Sequence, residues 1–323
     1  MFLSLPFAYC TKKLLPLLLF LMMQLFIGQA KAQQTPLSAA IKNNDLAEVK
    51  KKLDTGADPN EADADGDNLL MYAALYASAD VMERLLEKGA DPNAKNKDGE
   101  TPLMWSIPHP EKIKRLLQHG AIIDAKAETG NTAFLVACVG SKQHDLIKLF
   151  VEQGADPFIK NHKGETALMR AALFGDTATL SYLLGKGIDI NARANDSTTA
   201  LINAIFNVNR EATIFLLNRG ADADLIGAFG LTAVSAAVTY NDTESIKAIL
   251  QKAKNIDAVD RDGYSSLMWA AYNEHDNTEI IQSLLDRGAN VNLKAKNGTT
   301  ALSWALQKGN TKTVALLKKA GAK

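Results

Sequence analysis

The chain has 323 residues, 47% hydrophobic and 22% charged, with 36 Lys and Arg against 36 Asp and Glu. Aliphatic residues are too plentiful for a disordered chain. The neutral balance excludes a phosphate-binding footprint, which needs a clear basic excess or stripe, so no nucleic-acid partner is expected. Length alone suggests about two globular domains, but the internal period described below argues for one repetitive domain instead.

Residues 1–32 read as a cleaved signal peptide. Lys12 and Lys13 precede an almost unbroken apolar run from Leu14 to Gly28, and Ala30-Lys31-Ala32 supplies a small-residue cleavage site. The run falls short of the roughly 20 residues that span a bilayer and contains Pro16, so cleavage after Ala32 is expected, with no stable membrane anchor left behind. Cys10 lies before the run and cannot become the first residue of a mature lipoprotein. Cleavage removes three lysines and no acid, leaving 33 basic and 36 acidic residues. Cys138 is then the only cysteine, so packing and not disulfides must hold the chain; a small buried side chain is expected there.

From Thr35 onward one unit recurs, with starts near 35, 63, 96, 127, 161, 194, 227, 260 and 295. Most open with a Gly turn and a Thr-Pro-Leu-like triplet, as in Asp98-Gly99-Glu100-Thr101-Pro102-Leu103, Gly164-Glu165-Thr166-Ala167-Leu168 and Gly298-Thr299-Thr300-Ala301-Leu302, whereas the first begins at Thr35 without its turn. Thr or Ser there caps a helix, and Pro suits its first position. Small residues such as Ala73-Ala74, Ala171-Ala172 and Ala270-Ala271 let that helix approach its neighbours, and a Gly or Asn breaks it. A second helix shows apolar residues at helical spacing, for example Val81, Leu85 and Leu86. It ends at Gly-Ala, as in Gly56-Ala57-Asp58-Pro59-Asn60 and Gly89-Ala90-Asp91-Pro92-Asn93, with glycine as the left-handed cap.

No constellation for catalysis accompanies this pattern. His109, His119, His144, His162 and His275 lack metal-ligand spacing to one another or to Cys138, so no metal is expected. Asp63-Ala64-Asp65-Gly66-Asp67 only faintly suggests a calcium loop, since its twelfth position is Ala74. No nucleophile elbow or phosphate loop appears, so catalytic residues, cofactors and enzymatic activity are not expected. Sequons at Asn195 and Asn241 are read as accidents of turn-rich sequence.

The order of turn, Gly-x-Thr-Pro-Leu, small-residue helix, break, second helix and Gly-Ala-Asp-x-Asn resembles the ankyrin repeat over essentially all of residues 35–323. The resemblance implies an all-α solenoid of about nine helix-turn-helix units, forming one domain over 33–323. The histidine that usually follows Thr-Pro-Leu in that family is replaced here by Met71, Met104, Leu135, Met169, Ile202, Ser235, Met268 and Ser303, so thioether and aliphatic packing is expected in its place. The third unit departs further, because Ile107-Pro108-His109-Pro110-Glu111 predicts a bend or an altered interhelical loop.

In ankyrin folds the turn and first-helix positions line a concave surface. By that resemblance the binding groove comprises Tyr72, Tyr76, Trp105, Arg170, Phe174, Phe206, Phe229, Tyr240, Tyr264, Trp269, Tyr272 and Trp304. Trp, Tyr and Arg are common interface anchors. Lys97, Glu100, Lys163, Glu165, Arg261 and Asp262 are expected as a polar fringe at the turn tips. Exported proteins similar to this one imply a monomeric, non-catalytic protein-binding module of the bacterial periplasm. Its expected role is an inhibitor or immunity partner of a periplasmic enzyme such as a cell-wall hydrolase or lipase. A secreted effector acting on a host protein, an envelope scaffold, or support of an oxidative-stress enzyme are the alternatives.

Overall fold

A computed structural model describes residues 35–323 apart from Ser141, Gly175, Asn241, Glu274, His275 and the side chain of Phe229. The expected signal segment with Cys10, the sequon at Asn241, His275 and the ring of Phe229 therefore lie outside the described residues.

The described residues form 18 α-helices in nine pairs. The pairs are α1 (Pro36–Lys42) with α2 (Leu46–Asp54), α3 (Leu69–Tyr76) with α4 (Ala79–Glu87), and α5 (Pro102–Trp105) with α6 (Pro110–Gln118). There follow α7 (Ala133–Ala137) with α8 (His144–Glu152), α9 (Ala167–Phe174) with α10 (Thr177–Gly185), and α11 (Ala200–Phe206) with α12 (Arg210–Asn218). The last three are α13 (Ala233–Tyr240) with α14 (Thr243–Lys252), α15 (Ser266–Tyr272) with α16 (Thr278–Asp286), and α17 (Ala301–Lys308) with α18 (Thr311–Lys319). We number the pairs repeats 1 to 9.

The described residues divide into two compact blocks, one of 35–138 with 143–162, the other of 139–142 with 163–323. In the first, α1, α3, α5 and α7 pack in sequence, as do α2, α4 and α6. In the second, α9, α11, α13, α15 and α17 pack in one layer and α10, α12, α14, α16 and α18 in another.

Local chemistry explains the helix starts. Thr35, Asn68, Thr132, Thr199, Ser265 and Thr300 each accept the backbone N–H three residues on, at 3.0–3.3 Å, satisfying a donor that the helix itself leaves open. First helices are buried nearly all round, as from Leu69 to Ala74 in α3. Second helices bury one stripe, as with Val81, Met82, Leu85 and Leu86 in α4, which is the amphipathic pattern of a helix with one wet face. Met71, Leu135, Met169, Ile202 and Met268 are each at most 1% exposed, so apolar packing does occupy the histidine position. Cys138 is fully buried.

The Gly-Ala-Asp-x-Asn stretch is a clamp between repeats. Gly89 takes φ +88° past the end of α4, which a Cβ would disfavour. Asp91 then accepts the N–H of Asn93 at 2.8 Å, and Asn93 reaches forward. Its Nδ2 donates to the Gly120 carbonyl at 3.0 Å and its Oδ1 accepts from Ile122 N at 2.7 Å. Asn60 and Asn292 repeat both bonds. Asp124, Asn191, Asp224 and Asp257 keep the accepting bond. In repeat 4 the position holds Phe158, which is 57% exposed and offers no side-chain acceptor.

Repeat 3 is irregular as its prolines predict. Helix α5 is a single turn of four residues, and Pro110 opens α6 at a position where no intrahelical N–H is needed. Lys112 is buried there at 6% exposure. Its Nζ donates to the Ala73 and Ala74 carbonyls at 3.1 and 2.6 Å, capping the open end of α3, and burial lowers its pKa from the usual lysine value.

Candidate protein-binding surface

The sixteen aromatics that follow residue 32 fall into four settings. Phe134 and Phe150 are fully buried and meet edge-on at 6.4 Å in the core of repeat 4. Phe158 stands out on a loop. Tyr182 and Phe215 lie on the second helices α10 and α12, and the others lie on first helices, four, seven or eight residues past the helix-capping Thr, Asn or Ser, or in the turns that precede those helices.

The residues four past the cap share one arrangement. Trp105 Nε1 donates to Glu100 Oε2 at 2.8 Å, Trp269 Nε1 to Asp260 Oδ2 at 2.9 Å, and Arg170 to Glu165 Oε2 at 2.9 Å. The Tyr72 hydroxyl donates to Asp63. In each case the acceptor lies either five residues or one residue before the cap, in the turn of the same repeat. A charged acceptor makes such a bond stronger than a neutral pair. The turn therefore holds each large side chain against the helix and fixes its face for contact, which reduces the entropy lost when a partner docks.

In the first block, Tyr72 is the most enclosed of these side chains at 8% exposure. Its ring stacks on Tyr76 with centroids 6.4 Å apart and carries the ammonium of Lys42 at 4.1 Å. Burial, and then the bond to the Asp63 carboxylate, push its pKa well above the usual tyrosine value. Tyr76 is 40% exposed, with its pKa raised by burial and by Asp67. Trp105 is half-buried.

In the second block, three rings converge on Trp304 to make a cluster of four. Tyr264 stacks on it at 4.4 Å, Tyr272 lies at 4.8 Å and Trp269 at 5.4 Å. Asn297 Nδ2 donates to the Tyr264 hydroxyl at 2.9 Å, and Lys308 Nζ sits 4.1 Å over Tyr272. All four rings are half-buried. Phe206 and Tyr240 form a second pair at 6.0 Å, and Phe174 is half-buried on α9.

Three features differ from a groove of free anchors. Arg170 is paired with Glu165 and its side chain is only 15% exposed, so its charge is already matched. Glu100 and Glu165 turn inward onto Trp105 and Arg170, away from the expected fringe. Asp63 and Asp260, which hold Tyr72 and Trp269, are absent from the expected groove; the one mark they carry in the sequence is an acid five residues before the cap. The Asp63 loop is an ordinary turn, with Asp63 Oδ1 accepting from Asp65 N and Asp67 N at 2.9 and 3.0 Å. Among the described residues, no three His, Cys, Asp or Glu side chains are grouped to hold a metal, and no helix is long and apolar enough to cross a membrane.

Paired helices, hairpin turns and an aromatic first-helix face define a repeat-built protein-interaction scaffold. The family profile described as Ankyrin repeats (3 copies) matches residues 10–96, 80–161, 134–227, 201–295 and 234–323. The chain belongs to the ankyrin-repeat family. It is 27% identical over 145 residues to ankyrin repeat protein OPG189 of vaccinia virus (strain Copenhagen), covering 45% of this chain and 25% of that one. A putative ankyrin repeat protein of Acanthamoeba polyphaga mimivirus is 32% identical over 152 residues, or 46% of this chain and 24% of the relative. The human transient receptor potential cation channel subfamily A member 1 is 27% identical over 186 residues, or 55% and 14%. The chain thus matches a quarter or less of the length of these curated relatives. Ankyrin repeats of this kind are generally protein-binding modules without catalysis.

Proposed function

We propose that the protein is a periplasmic binding module that holds an enzyme, such as a cell-wall hydrolase or a lipase, and so inhibits it or protects the cell from it. The observation that carries this reading is the first-helix face, where large aromatic side chains are pinned by turn acids and stay partly open to solvent. Aromatic anchors in defined positions supply contact area at low entropic cost. The basic and apolar N-terminal segment ending in Ala30-Lys31-Ala32 supports export. A single cysteine after residue 32 suits a chain that keeps its fold in an oxidising compartment without depending on disulfides.

The test is co-purification from an osmotic-shock fraction with wild type, Trp105→Ala and Trp269→Ala, each checked for an unchanged circular dichroism spectrum. One dominant enzyme is expected, inhibited in the complex, and each substitution should weaken binding by about 2 kcal/mol or more. Equal affinity in all three proteins would rule out the aromatic face. Recovery of the mature chain from the culture medium or a host cytosol, with a host protein attached, would replace the periplasmic reading with that of a secreted effector.

A further inference from the structure

We infer that the first-helix face of repeats 8 and 9 takes an acidic protein segment, one of whose carboxylates accepts the N–H of Trp304. This rests on the reading of that face as a protein-binding surface and adds the chemistry of what binds.

Four large donors occupy the position four residues past the cap, and each has a carboxylate in its own turn: Tyr72 with Asp63, Trp105 with Glu100, Arg170 with Glu165 and Trp269 with Asp260. Trp304 holds the same position in repeat 9, but the two places from which the acid comes are Ala295 and Thr299. Among the described residues nothing accepts from Trp304 Nε1, although its ring is the centre of the four-ring cluster. The indole is only half-buried, so an acceptor can reach it from outside.

Charge points the same way. Residues 287–323 carry eight Lys and Arg and no Asp or Glu. Taking these eight and the three lysines before residue 33 from the 36 basic residues leaves 25 to set against all 36 acids in residues 33–286. The stretch from 287 to 323, which includes repeat 9, is thus strongly basic in an otherwise acidic chain. Lys294 and Lys296 are exposed beside the turn of repeat 9, and none of the ion pairs among the described residues engages either. A local basic field attracts carboxylates and speeds their docking. The acidic remainder disfavours an extended polyanion or an anionic bilayer, which must run past more than one repeat, whereas a short acidic segment needs only this end.

The test titrates the chain from residue 33 to 323 with an acetylated and amidated peptide, Glu-Glu-Phe-Glu-Glu, following tryptophan fluorescence and heat at low and physiological salt. Binding is expected, weaker at the higher salt. Trp304→Phe, which keeps the ring and removes the N–H, should lower affinity roughly tenfold, the scale of one hydrogen bond to a charged acceptor. Ala295→Asp, which supplies the acid that repeats 2 and 8 carry at this place, should lower it at least as much, and adding Trp304→Phe to it should change little. The inference falls if the peptide does not bind or if both variants bind it as wild type does. It falls equally if the Lys-Lys-Phe-Lys-Lys peptide, phosphatidylglycerol vesicles or a single-stranded DNA bind more tightly. Should it fall while Trp105→Ala and Trp269→Ala still weaken the enzyme complex, the binding reading stands without it; should those variants also bind normally, both fall.

Discussion

Val208 shows how one residue is held against its own preference. It follows α11 with φ +53°, at the register where Asn44 takes φ +53° and Gly309 φ +72°. Asn and Gly tolerate that region, whereas a β-branched side chain there is strained by about 1–3 kcal/mol. The side chain is 44% exposed and contributes little packing in return. Val208→Gly is therefore expected to stabilise the protein by about 1 kcal/mol after the entropic cost of glycine, read as a higher urea midpoint at unchanged slope. At the same scale, the pinned side chains of the binding face are legible only in part. Trp105 and Trp269 stand out in the sequence as aromatics at one register, but which acid holds each was decided by the turn, since Glu100 and Asp260 sit at different offsets.

At the scale of the element, the turn and its following helix act together through buried polar contacts. Tyr72 keeps its proton in the folded state because burial and the Asp63 carboxylate both disfavour phenolate. Its folded pKa thus lies above the unfolded value of about 10. Below that value both states are protonated and the contribution to stability is fully present. As pH rises past it, the unfolded chain loses the proton first, so stability falls. Tyr72→Phe should flatten this alkaline loss, measured by urea unfolding between pH 9 and 11, while losing one hydrogen bond at neutral pH. Lys112 acts with the opposite sign over its own window, since its pKa is lowered and stability gains as pH rises toward the unfolded value; comparing the variant with wild type cancels that contribution. The clamp residues work between elements. Asn93→Ala removes one donated and one accepted bond to the next repeat and should cost about 1–2 kcal/mol, at about 1 kcal/mol per exchanged bond.

At the scale of the whole molecule, repeats that touch only their neighbours make stability a sum of local terms. Phe150 is fully buried against Phe134, so Phe150→Ala should cost about 3–5 kcal/mol. Hydrogen exchange is expected to speed up in repeats 3 and 4 while amides of repeats 8 and 9 keep their protection; a uniform loss over all nine repeats would contradict nearest-neighbour behaviour. The charge distribution is the other property of this scale. A neutral total hides a basic end and an acidic remainder, and only a count along the chain exposes it.

The amino-acid sequence alone determined the repeat, its helix starts and its helix ends, because these depend on contacts within a few residues: a Thr that caps its own helix, a glycine that ends one, and an apolar stripe at helical spacing. It also showed where the aromatics gather. The tertiary structure alone decided what those side chains do, because their partners come from turns and neighbouring repeats. Asn93 looked like a turn residue and proved to be a clamp across 27 positions to Gly120. Lys112 is buried on the carbonyls of the preceding repeat, a contact that no local spacing marks. Trp304 looked like Trp105 and Trp269, and differs from them by an acceptor that its own turn does not supply. Periodicity is written in residue spacing, but the satisfaction of each polar group depends on which backbone arrives beside it in space.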